Sequence, residues 1–328
     1  MGILFSLVAV VALTLIALVG AAIGLGLLFG VIIPYLALAI FIGGFTYRVV
    51  RWAQSPAPFK IPTTCGQQKS LPWIRNNELE SPSSTWGVIK RMFLEVFLFR
   101  TLFRNTKVEL RGQRAVYGGA KWLWLAGIAF HYAFLVTILR HIRLFVEPTP
   151  YFVDLLNKVD GAFEIGVPHL YISGAVLVVA VGYLLFRRVA IPQMKYISLA
   201  SDYFPLLLIL GIGVSGIVMR HFLKVELPQV KELAVGLFSL HPFVPEGIGV
   251  LFYIHLFLVS VLIAYFPFSK LMHMGGVFLS PTRNLANNSR AVRYVNPWNY
   301  PVKVHTYEEY EDDFRDRMKQ VGIPVEKE

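Results

Sequence analysis

Apolar residues run along this chain in unbroken blocks of about 20 rather than in alternation. A block of that length crosses a ~30 Å hydrocarbon layer as an α-helix, whereas a lipid-facing barrel strand alternates. Residues 2–47 carry no charge. At about 1.5 Å per residue they are too long for one helix, and the glycine-rich GAAIGLGLLFG predicts a turn dividing them into helices over 2–22 and 28–50. A single long tilted helix followed by a re-entrant piece is the alternative. Four further spans are expected at 119–144, 168–187, 203–223 and 248–273. Pro168 opens the fourth, and Pro242 and Pro245 precede the sixth. The fold class is therefore all-α, a polytopic membrane bundle of about six transmembrane helices. The organisation read from the pattern is two N-terminal helices in 1–50, a loop with an amphipathic helix in 51–116, a four-helix core in 117–276 and a tail in 277–328.

The polar stretches add orientation. The chain is 55% hydrophobic and 16% charged, with a net charge of +11. One set of connecting segments (48–121, 187–202 and the tail from 270) holds 25 Lys/Arg against 13 Asp/Glu; the opposite set (140–164 and 220–246) holds 6 against 7. Basic loops stay inside, so both termini are expected in the cytoplasm. The positive charge is topological and implies no nucleic-acid partner. Within 51–116, four prolines (Pro56, Pro58, Pro62, Pro72) mark a segment too large for a connector. The following GVIKRMFLEVFLFRTLFR, 87–104, is amphipathic, suited to lie along the inner membrane surface or to form a docking platform. The acidic EEYEDDFRDRMK reads as a surface helix or a disordered contact. A lone cysteine, Cys65, excludes an internal disulfide and a cluster held by this chain alone; it is a partner contact or an ordinary thiol.

Against this apolar background four histidines stand out. His131 and His141 lie in KWLWLAGIAFHYAFLVTILRHIRLF, His255 and His273 in LFYIHLFLVSVLIAYFPFSKLMHMGG. Imidazole in a hydrocarbon span is costly and marks function by default. The two spans run in opposite directions, so pairing is expected between His141 and His255 at the outer end and between His131 and His273 at the inner end. The first two are ten residues apart, about 15 Å of helical rise, and the second two are 18 apart, about 27 Å. Two bis-histidine b-type haems roughly 20 Å apart in projection would fit. Each histidine alone also suits a structural hydrogen bond, and Met272 and Met274 leave a His/Met pair open. Gly127 and Ala129 give space beside His131, or merely ordinary helix packing. Arg140, Arg143 and Lys270 flank the ligand candidates and suit propionates, or snorkelling to the interface.

The segments FYIHLFLVSVLIAYFPFSKLMH and FHYAFLVTILRH resemble the cytochrome b (gamma) subunit of respiratory nitrate reductase over about residues 115–280. The N-terminal helices, KIPTTCGQQKSLPWIRNNELESP and RMFLEVFLFRTLFRNT are similar to the DsrM family, the membrane cytochrome b subunits of DsrMKJOP complexes of dissimilatory sulfur metabolism. The resemblance implies a multi-pass protein of a prokaryotic cytoplasmic membrane with two haem b, held by His131, His141, His255 and His273. It implies menaquinol as electron donor and a DsrK-like cytoplasmic iron–sulfur subunit, related to heterodisulfide reductase, as partner. Further membrane and periplasmic subunits would complete the complex. A quinone pocket is expected at the outer end, where His169, His221 and Arg143 gather with Arg140 and Lys224; helix-end anchoring is the plainer role for His169 and His221. His241 and His305 are expected to be solvated. The competing reading is a haem-free anchor or transporter subunit, although no internal repeat or broken helix pair is visible in the sequence.

Overall fold

The computed structural model describes residues 1–55, 57, 60–61, 67–162, 170–292 and 305–327. Among them, six helices are long and apolar enough to cross a membrane. These are α1 (Gly2–Ala22), α2 (Ile33–Ala53, entered through a π turn at Leu28–Ile32), α5 (Lys121–His141), α7 (Ile172–Ala190), α9 (Ala200–His221) and α11 (Val250–Tyr265). Shorter helices fill the connections: α3 (Thr85–Leu98), α4 (Arg100–Phe103), α6 (Tyr151–Asp160), α8 (Pro192–Ile197), α10 (Leu227–Phe238), α12 (His273–Gly276) and α13 (Tyr307–Gln320). The multi-pass all-α architecture expected from the block pattern is the one observed. The uncharged N-terminal stretch divides into two helices rather than one, and α13 makes the acidic tail helical, its start closed by a Thr306/Glu309 capping box.

The π turn has a local cause. Pro34 has no N–H to donate and its ring would crowd the carbonyl of Gly30 in a regular helix, so the backbone widens there. The widened turn presents Phe29 to the core, edge-on to Phe257 at 5.3 Å. Gly20 makes room for it, since a β-carbon there would stand 2.1 Å from the Phe29 ring. Between lipid-bathed helices such close fitting, rather than expulsion of water, is what holds the bundle.

The packing order positions the histidines. Helix α5 packs on α7, α7 on α9 and α9 on α11, while α1 leans on both α9 and α11 and α2 on α11. Helices α5 and α11, which carry the candidate ligands, share no extended contact with each other.

Two features depart from the sequence expectation. The sixth span is not one helix to residue 273. Pro267 ends α11 in a 3₁₀ turn at Phe266–Phe268, Ser269 is extended, and a second 3₁₀ turn at Lys270–Met272 leads into α12. The 27 Å rise assumed for His255 to His273 therefore does not describe this chain, nor does the 20 Å spacing derived from it. The loop before α5 also contains an antiparallel hairpin, β1 (Thr106–Arg111) and β2 (Arg114–Gly119), turned at Gly112 with φ 64°.

Candidate cofactor site

All four histidines are anchored through Nδ1. His131 bonds the Gly127 carbonyl at 2.7 Å, His141 the Thr137 carbonyl at 2.7 Å, and His273 the Lys270 carbonyl at 2.8 Å. A carbonyl only accepts, so each of these Nδ1 atoms donates. His255 lies 2.8 Å from the Ser215 hydroxyl, whose own proton goes to the Ile212 carbonyl at 2.9 Å. The hydroxyl has one proton, so it accepts from His255, and Nδ1 is again the donor. In a neutral ring this fixes the tautomer and leaves Nε2 with its lone pair. Metal-bound histidines are oriented this way, by a donor bond from the nitrogen that is not ligated.

His131, midway along α5, and His273, beyond the end of α11, face each other with ring centroids 5.9 Å apart and planes at 82°. Two nitrogen–metal bonds of about 2 Å would set the centroids about 6 Å apart, so the separation would suit both rings holding one metal ion. Phe99 and Phe130 each meet His131 edge-on at 4.9 Å. At the other end His141 is an electrostatic neighbour of His255, and Gly216 lies beside His255, where a β-carbon would be 3.4 Å from the ring. The structure thus brings His131 into ring contact with His273, one of the two juxtapositions that the antiparallel order implies. Among the described residues no three His, Cys, Asp or Glu side chains converge as a metal cage.

Met272 is buried and Met274 exposed. A β-carbon at Gly127 would meet Leu102 at 3.5 Å, and the Gly127 carbonyl accepts from His131. The flanking cations carry partners the sequence did not reveal. Buried Arg140 donates to Asp160 at 2.6 Å, Ser173 at 3.1 Å and Asn157 at 3.0 Å. Asp160 also accepts from the Ser173 backbone and hydroxyl, joining α5, α6 and α7. Lys270 is ion-paired with Asp202 at 2.6 Å. Arg143 donates to the Tyr171 hydroxyl at 3.4 Å, and Arg140 and Arg220 stack over the Tyr171 ring at 3.1 and 4.0 Å. Burial pushes the Tyr171 phenol up, but the charges of Arg143, Arg220 and Arg140 outweigh it and hold the group below its usual range. His221 closes α9, and Lys224 is exposed just beyond it. His169 and Cys65 lie outside the described residues. His241 and His305 are exposed.

Comparison with known proteins places this geometry in a lineage. The nitrate reductase gamma subunit family matches residues 84–294, the stretch that holds all four histidines. A cytochrome b-like subunit of an Hdr-like menaquinol oxidoreductase from Archaeoglobus fulgidus is 47% identical over 281 residues, 84% of each chain. Its counterpart from Archaeoglobus profundus is 42% identical over 275 residues, 81% of each chain. The chain belongs to the nitrate reductase gamma subunit family and is akin to the cytochrome b-like subunits of Hdr-like menaquinol oxidoreductases.

Proposed function

We propose that this chain is a dihaem b subunit that passes electrons between menaquinol and a cytoplasmic, heterodisulfide reductase-like iron–sulfur subunit, in the manner of the DsrM family of dissimilatory sulfur metabolism. The observation that carries this reading is one arrangement repeated four times in apolar surroundings: an imidazole with Nδ1 donated to an oxygen and Nε2 left to ligate. The names of the two relatives support menaquinol as the electron donor and an Hdr-like assembly as the setting. Basic loops on one side support cytoplasmic termini in a prokaryotic inner membrane.

Bound haem would supply a one-electron iron couple at each histidine pair. The residues of the chain do the rest. The Nδ1–H bonds of His131, His141, His255 and His273 hold the rings in the ligating tautomer and raise their basicity. Arg140, Arg143 and Lys270 are the cations offered to propionates, with Asp160, Tyr171 and Asp202 competing for them. At the outer end, Arg143 and the Tyr171 hydroxyl would orient the quinol ring, with His169 and His221 as proton acceptors.

A spectrum of the purified chain, made with adequate haem supply, tests the reading: b-type absorption at two haems per polypeptide is expected. A colourless, folded protein would favour the haem-free anchor or transporter instead. His141→Ala is expected to remove the outer haem and His131→Ala the inner one; identical losses would refute the pairing. Quinol-driven haem reduction unchanged after joint replacement of His169 and Arg143 by Ala would remove the quinone placement.

A further inference from the structure

The hairpin of α3 and α4 lies deeper than a cytoplasmic loop should. The Phe97 carbonyl accepts from the Tyr132 hydroxyl at 3.0 Å, and the Leu98 carbonyl from Trp124 Nε1 at 2.8 Å. Tyr132 and Trp124 are eleven and three residues inside α5 from Lys121, which is about 16 and 5 Å below its cytoplasmic end. Phe99, between the two helices, takes φ 49°, a left-handed conformation rare for a bulky residue, and there the chain reverses. Its ring lands on His131.

One face of α3 is largely exposed among the described residues. Trp86, Ile89, Phe93 and Phe97 recur at helical spacing and are 79, 50, 57 and 49% exposed. This stripe continues into exposed apolar residues of α5 such as Trp122 and Leu125, on a helix that already crosses the bilayer. The charges turn the other way. Arg91 is buried and bonds the Glu80 and Thr282 carbonyls at 2.6 and 2.9 Å. Glu95 takes the Thr101 hydroxyl at 2.6 Å and Arg283 at 3.3 Å. Arg100 and Arg104 both close on Glu80. Lys90 remains, long enough to snorkel. A platform for a soluble partner keeps a polar rim; here Arg91, Arg100 and Arg104 turn toward Glu80, Glu95 pairs with Arg283, and the apolar side is left outward.

We propose that α3 and α4 form a re-entrant wedge in the cytoplasmic leaflet, its Trp86, Ile89, Phe93 and Phe97 face covered by lipid acyl chains. The wedge needs no cofactor, so its test is separate from that of the redox reading. In a Cys65→Ser background, Phe93→Cys carries an environment-sensitive fluorophore on the full chain in phosphatidylcholine/phosphatidylglycerol vesicles. Quenching by acyl-chain doxyl lipid is expected to exceed quenching by a headgroup nitroxide about twofold, with aqueous iodide without effect. Iodide quenching as strong as for free dye, or no preference for the doxyl lipid, would overturn the proposal. The unmodified chain gives a second reading through a carbene photolabel dissolved in the bilayer. Peptides of 85–98 should label as strongly as those of 121–144 and well above the hairpin 106–119; labelling of 85–98 at the hairpin level would overturn it as well.

Discussion

The two histidine pairs are built differently. His255 sits within the regular helix α11, and its Nδ1 bond goes to a side chain, the Ser215 hydroxyl on α9. His273 sits beyond Pro267 on a broken segment, and its Nδ1 bond goes to the backbone of its own turn. That turn is pinned to α9 by Lys270 and Asp202, and Asp202 also accepts from the Leu199 N–H at the start of α9. The outer pair is thus held by helix–helix packing, with a hydroxyl available for adjustment. The inner pair is held by a polar staple and by Phe99. An imidazole on a helix inherits its position; one on a turn must have it secured by other residues.

Four changes test that contrast, in order of expected effect. His255→Ala should abolish the outer site while leaving the inner absorption in place, read as haem content falling from two to one per chain. Asp202→Ala should loosen the inner pair selectively. It removes the acceptor of the Leu199 N–H, a hydrogen bond worth about 1 kcal/mol, and an ion pair worth less than that, because Lys270 is 70% exposed. Broadening or loss of the inner signal, with the outer one intact, is the expected spectrum. Ser215→Ala should keep both sites but weaken the anchor of His255 by about 1 kcal/mol, a shift of tens of millivolts in the outer potential alone, read by redox titration.

The smallest effect concerns pH. Burial pushes the Glu80 carboxyl up, but the Arg100 hydrogen bond and the charges of Arg100, Arg104 and Arg91 outweigh it and hold it below its ordinary value. A carboxylate depressed in the folded state adds stability that is complete above its unfolded pKa and is lost as pH falls through the lower folded one. Glu80 secures α4 beside Phe99 and His131, so acid strong enough to protonate it, below the ordinary carboxylate range, should perturb the inner absorption before the outer. Equal sensitivity of the two would contradict the link.

The lengths of the apolar blocks made the six spans legible in the sequence, and the antiparallel order of the third and sixth spans made the histidine pairing legible. Pro267 marks the break in the sequence, yet the apolar block runs on through it and predicts a continuous span to residue 273. The hairpin escaped because KVEL and RAVY alternate for too few residues inside a basic loop. The supporting residues were beyond reach for another reason: Ser215 lies 40 positions from His255, Asp202 68 from Lys270 and Asp160 20 from Arg140. Nothing local marks a serine in a small-residue stretch, or an acid in a basic loop, as the partner of a distant side chain.

The separation of α5 from α11 has a consequence for biogenesis. The ribosome delivers His131 and His141 well before their counterparts, and His255 follows His141 by 114 positions. At about 5–20 residues per second the half-built clamp waits roughly 6–20 seconds for its other jaw. Closure around any guest is therefore among the last events in the maturation of the newborn chain, after α5 and α7 have already become neighbours in the bilayer.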